Sequence, residues 1–279
     1  MIRTFFNMDN AKEDFWLHRY SNANFLEKMF SNGALNLKFT KAINFEDPLE
    51  GWDLRNPKIK KGMDETIAFY NRGIDDSCTI ENLSGILSFF TDTRLDVLKN
   101  IVLKLKNYNE NRNSTFISSW FKTDTIEEEN RAMWRLYGNN EEGVRISVKW
   151  SDLKQALLKF NENFEVGLVD YGMNTKQQNL FFTKDISYKH ENEFRILFYN
   201  KKAIEDQFIK LDNLKVHTTV RSMYNKDCYT NRLKKLGLEK GFDTNNKLTY
   251  DESHLFYESK QVDWSVVLDI INREILRNK

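Results

Sequence analysis

The chain has 279 residues, and its 42 Lys and Arg stand against 41 Asp and Glu, a formal net charge of +1 that announces no electrostatic partner. With 40% apolar and 14% aromatic residues the composition is too rich for a disordered chain and describes a folded protein able to bury a core. No window approaches the roughly 18 apolar residues of a membrane span, and Met1 to Asn10 lacks the apolar core of a signal peptide, so the expectation is a cytoplasmic chain with no membrane partner. Two cysteines, Cys78 and Cys228, make no disulfide framework, and four histidines lack zinc spacing, so no metal is expected. The 11 glycines include no Gly-x-Gly pair, which excludes the dinucleotide fingerprint and the P-loop.

In chain order, Phe15 to Tyr20 and Ala34 to Phe39 read as strands around a short helix bearing Phe25, Leu26, Met29 and Phe30, stopped at Asn32-Gly33. Pro48 and Pro57 both fall in the stretch that follows. A helical insertion is expected over about 60–112 from the spacing of Leu95, Leu98, Val102 and Leu105. Next come a strand at 115–120, an acidic-capped helix at 126–137, a strand at 143–150 and a helix at 152–160 capped by Ser151. Strands at 166–171, 193–199, 214–220 and 247–250 follow, with a helix at 227–236. A C-terminal helix over about 261–277 sets Trp264, Val267, Leu268, Ile271 and Ile275 on one face. Short strands interleaved with helices, without βαβ repeats, predict a single α+β domain spanning 1–279 with a largely antiparallel sheet.

Three segments carry side chains suited to chemistry. In Tyr188 to Arg195, a strand would set Glu191, Glu193 and Arg195 on one face, converging two carboxylates and a guanidinium; the same spacing describes an exposed ladder of charges. In Glu129 to Gly138, Met133, Trp134 and Tyr137 share a helix side, which serves equally as core or as a stacking platform. In Leu17 to Ser21, alternation sets Arg19 and Ser21 opposite His18 and Tyr20, and an Arg beside a hydroxyl grips a phosphate.

Taken together, Leu17-His18-Arg19-Tyr20, Phe45-Glu46-Asp47-Pro48-Leu49-Glu50-Gly51, Ser118-Ser119-Trp120, Glu129 to Tyr137, Gly143-Val144-Arg145-Ile146, Lys184 and His190 to Arg195 resemble, in order and spacing, a bacterial family of unknown function with the ADP-ribosyltransferase-like fold, found in toxin and phage-defence settings. Ser119 stands where that family commonly has Cys, and Asn130 where it commonly has Ser. The resemblance implies a split antiparallel or mixed sheet holding NAD as co-substrate. It implies Glu193 as the carboxylate that stabilises an oxocarbenium-like transition state and Glu191 as orienter or base for the acceptor. Arg19, with Tyr20, Ser21, Trp120, Met133, Trp134 and Tyr137, would contact phosphate, ribose and nicotinamide, while Asp47 and Glu50 read as turn and capping residues. The expected activity is mono-ADP-ribosylation of single-stranded RNA or protein, with an antitoxin as neutralising partner. The alternatives are an NAD glycohydrolase and a non-catalytic binding module in which the glutamates form a surface ladder.

Overall fold

A computed structural model describes residues 2–6, 14–31, 33–45, 47, 50–51, 107–138, 142–172, 179–222, 226–241 and 247–253. Residues 107–114 are helical; the rest of the expected insertion and the whole of the expected C-terminal helix lie outside the described residues. The strands are β1 (Ile2–Phe6), β2 (Trp16–Asn22), β3 (Phe30–Ser31), β4 (Ala34–Lys41), β5 (Thr115–Thr123), β6 (Glu142–Lys149) and β7 (Phe164–Leu168). They continue as β8 (Asp170–Tyr171), β9 (Thr183–Lys184), β10 (Glu193–Tyr199), β11 (Gln207–Leu211), β12 (Val216–Ser222), β13 (Glu239–Lys240) and β14 (Leu248–Glu252). Helices are few and short, and the class is α+β with both parallel and antiparallel strand pairs. No helix among the described residues is long and apolar enough to cross a membrane.

The chain divides into two compact units. One comprises Met1–Lys12, Leu37–Phe121 and Leu157–Ile209; the other comprises Glu13–Asn36, Lys122–Ala156 and Lys210–Lys279. In the first, β7 pairs β1 in parallel and β10 antiparallel, and β5 pairs both β10 and β4 antiparallel. Side chains alternate along β10, so Phe194, Ile196 and Phe198 face one way and Glu193, Arg195 and Leu197 the other. The first face is an aromatic core in which Phe198 meets Phe39, Phe116 and Phe164 at centroid distances of 5.0, 5.4 and 5.9 Å. Such ring pairs add about 0.5–1.5 kcal/mol each beyond the area they bury. On the opposite face, Ala42, Ile117, Phe181, Phe182 and Leu197 form a smaller apolar cluster.

In the second unit, β6 lies antiparallel to β2 and β12, while β14 pairs β12 and β13 in parallel. Both faces of β2 and β6 are buried. One carries Leu17, Val144, Ile146 and Val148; the other carries a polar row in which His18, Ser147, His217 and Thr249 stand side by side across four strands.

The sheets are mixed, with β12, β13 and β14 parallel among mostly antiparallel pairs. Two local expectations differ from the structure. The helix expected over 126–137 begins only at Arg131; its N-cap is Asn130, whose Oδ1 accepts from the Ala132 and Met133 N–H groups, and no acidic residue lies in its first turn. Ser151 lies inside the helix Trp150–Leu157, and both its N–H and its hydroxyl donate to Asp14.

Gly51 is required by its place. Its φ is +77°, and a Cβ there would sit 2.4 Å from the Phe181 ring. Gly51→Ala is expected to cost about 1–3 kcal/mol, from left-handed strain and overpacking, and to lower the urea midpoint at unchanged slope.

Candidate functional site

Arg195, midway along the start of β10, is completely buried and uses all five of its N–H donors. Nε and one Nη2 proton go to the two Glu193 oxygens, at 2.7 and 3.1 Å. The Glu50 carboxylate is held bidentately, at 2.5 Å from Nη1 and 2.9 Å from Nη2, and the remaining Nη1 proton goes to the Phe181 carbonyl at 2.5 Å. Gly167 stands beside Arg195 on β7 and Ser119 beside it on β5, so small residues flank the guanidinium.

Glu191 is not on the strand. Residues Ile186–Glu191 form a 3₁₀ turn, closed by Asn192 in the left-handed region at φ 37°, and β10 begins at Glu193. The turn nevertheless returns Glu191 to the cluster, because the Lys184 ammonium lies 2.5 Å from Glu191 Oε2 and 3.5 Å from Glu193 Oε2. It also sits 4.3 Å from the centre of the Tyr188 ring. The two glutamates, Lys184, Arg195 and Glu50 are all buried, which excludes the exposed-ladder arrangement that the spacing also allowed. Glu193 is further fixed through its backbone, whose N–H donates to the Tyr171 hydroxyl at 2.8 Å.

The two carboxylates on Arg195 are driven apart in acidity. Burial alone would raise Glu193, but Arg195 and Lys184 beside it outweigh that and bring its pKa down to about 2. Glu50 moves the other way: burial raises its pKa, and Arg195 offsets this only in part. Arg195 and Lys184 would be lowered by burial, yet their carboxylate partners hold both above their ordinary values. The cluster thus contains a fixed, ionised carboxylate, Glu193, among three acids and two bases, and the buried Arg112 guanidinium acts on Glu50 from beside it. Among the described residues no group of His, Cys, Asp and Glu is arranged to hold a metal ion.

The remaining sequence candidates lie elsewhere. Trp120 pairs with Phe194, on the face of β5 opposite to the one carrying Ser119 and the Glu193–Arg195 pair; it is buried, and its indole N–H donates to Ser118 at 3.1 Å. In the second unit, β2 sets Tyr20 on the polar face and half-buried Arg19 and Ser21 on the other. Tyr20 meets Trp134 edge-on at 4.9 Å, and its hydroxyl accepts from the Asn130 N–H at 3.1 Å. Trp134 is completely enclosed: its indole N–H donates to Glu129 at 2.8 Å, and a Cβ on Gly143 would approach its ring to 2.8 Å. Met133 is buried as well, whereas Tyr137 is 45% exposed. The helix side considered as core or platform is therefore core at Met133 and Trp134, and the structure does not gather it with Arg19.

Two further groups were not singled out from the sequence for these roles. Glu50, expected to be a turn residue, is a buried ligand of Arg195, though its N–H does close a turn onto Asp47 at 3.1 Å. In the second unit, Arg145 is buried and donates to the carbonyls of Glu128 and Ile126 and to the Thr219 hydroxyl. Beside it, Thr123 donates to the Thr125 carbonyl and so accepts from His18 Nε2, which leaves His18 Nδ1 to accept from Ser147 at 2.8 Å. Burial, then Arg145, keep His18 well below its ordinary pKa, consistent with this neutral tautomer.

Residues 133–185 match a family model described as "Protein of unknown function (DUF2971)". That segment runs from Met133 on the helix Arg131–Tyr137 to the residue after Lys184. No curated protein and no solved structure gives a significant match.

The pKa of Glu193 has a direct consequence. Its stabilisation is fully present above the unfolded value, about 4.5, and is lost as pH falls through the folded value near 2; raised Glu50 contributes with the opposite sign just above 4.5. Protonated Glu193 resembles glutamine, so the stability difference between wild type and Glu193→Gln, measured by urea unfolding, is expected to shrink steadily from pH 5 to pH 2.5.

Proposed function

We propose that the chain is an NAD-consuming mono-ADP-ribosyltransferase of the toxin or phage-defence kind, with the ADP-ribosyltransferase-like fold that its ordered motifs resemble and with RNA or protein as acceptor. The observation that supports this is the convergence of Glu191 and Glu193 through Lys184 in a buried cluster. Cleaving the nicotinamide–ribose bond builds positive charge on the sugar, and a carboxylate that is already ionised and immobile stabilises that charge without reorganising. Glu193 has both properties, with two Arg195 donors, Lys184 and the Tyr171 hydroxyl fixing its position. Glu191, on the turn rather than the strand and tied to Lys184, is the carboxylate that would orient the acceptor or act as its base.

The burial of the same groups favours a second reading, a non-catalytic binding module in which Arg195 and its acids only hold β10 to the turn at Glu50. Labelled NAD separates the two. Incubated with an extract containing RNA and protein, the wild type is expected to transfer label, and Glu193→Gln to slow transfer by about 100–1,000-fold, the scale of losing one aligned electrostatic group. Release of nicotinamide without transfer marks a glycohydrolase. Neither transfer nor nicotinamide release from folded wild type overturns the enzymatic reading in favour of the module.

A further inference from the structure

Resting on the reading of Glu193 as the carboxylate that meets developing positive charge, we infer that Glu50 is a positioning residue, which draws the charge of Arg195 away from Glu193. The geometry carries this. Arg195 is shared almost symmetrically, its Nε and Nη2 edge on Glu193 and its Nη1 and Nη2 ends on Glu50, whose two oxygens both accept from it in the bidentate geometry of a guanidinium–carboxylate pair. A guanidinium paired with Glu193 alone would cancel that acid's charge and leave a neutral group facing the substrate. With Glu50 present, the guanidinium is divided between two carboxylates, and less of its charge is spent on Glu193.

The local chain is built to deliver Glu50 there. The Glu50 N–H closes a turn onto Asp47, Gly51 takes a left-handed φ of +77°, and the Phe181 ring packs where a side chain on residue 51 would stand, while the Phe181 carbonyl takes the fifth Arg195 donor. Phe-x-Asp-Pro-x-Glu-Gly thus has a chemical role as well as a turn-forming one. Glu50 touches no reacting atom; it acts through Arg195.

The test is a set of charge variants assayed for nicotinamide release per folded molecule. Glu50→Gln leaves the Arg195 charge to Glu193 and is expected to lower kcat at least tenfold, with KM for NAD within twofold. Glu50→Gln/Arg195→Met removes one charge of each sign, frees Glu193 of the guanidinium and is expected to recover most of the lost kcat. A Glu50→Gln kcat equal to wild type, or a folded double variant no faster than the single one, overturns the inference. If Glu50→Gln fails to fold, the double variant is compared with Glu193→Gln, and equal rates overturn it. One arm needs no turnover: the Arg195 Nε–H proton resonance, identified by its loss in Arg195→Met, is expected to move downfield in the double-resonance spectrum of Glu50→Asn or Glu50→Gln as the bond to Glu193 strengthens. An unmoved resonance overturns charge sharing even if wild type releases no nicotinamide, an outcome that by itself overturns only the enzymatic reading.

Discussion

A buried guanidinium N–H left without an acceptor costs stability, and Arg195, buried completely, leaves none so. This constraint organises the first unit. Its five donors need two carboxylates and a carbonyl, which must arrive from three separated parts of the chain: Glu193 from the same strand, Glu50 from a turn 145 residues earlier, and Phe181 from the 3₁₀ turn Leu180–Phe182. Taking away one partner of such a set leaves an uncompensated charge, which costs about 3–5 kcal/mol. Gly51, the Phe181 ring and the 3₁₀ segment before Glu193 all serve to bring these acceptors into register.

The second unit also buries a guanidinium, but against neutral acceptors and with its Nε–H left without one. Arg145 binds two carbonyls and a hydroxyl, and in doing so ties down the segment between β5 and the helix Arg131–Tyr137. Backbone carbonyls engaged in this way are withheld from helical pairing, which is why the helix starts at Arg131 and needs Asn130 as its cap. The neutral His18 beside Arg145 fits that choice, since a second buried cation would have no anion to answer it.

Much of the secondary structure was legible because it rests on local periodicity. Alternation in Leu17 to Ser21 and in Glu193 to Tyr199 translates directly into strands with two distinct faces. The convergence of Glu191, Glu193 and Arg195 was legible too, but its geometry was not: a single left-handed residue, Asn192, takes Glu191 off the strand, and the link is restored by Lys184, seven residues earlier. Glu50 was hidden for a different reason. Its partner is 145 residues away, and a carboxylate beside Asp47-Pro48 has the local signature of a turn. Trp134 shows the reverse error, since an aromatic stripe suits a ligand or a core equally, and only the closeness of Gly143 and Tyr20 decides for the core.

The chemistry and the architecture therefore meet in one place. The ion network that fixes β10 also leaves Glu193 ionised and immobile. The most direct measurement is the rate of nicotinamide release from NAD by wild type and by Glu193→Gln, each corrected for its folded fraction. The account predicts release by the wild type and its near-complete loss in the variant; equal rates, or none from either folded protein, would contradict it.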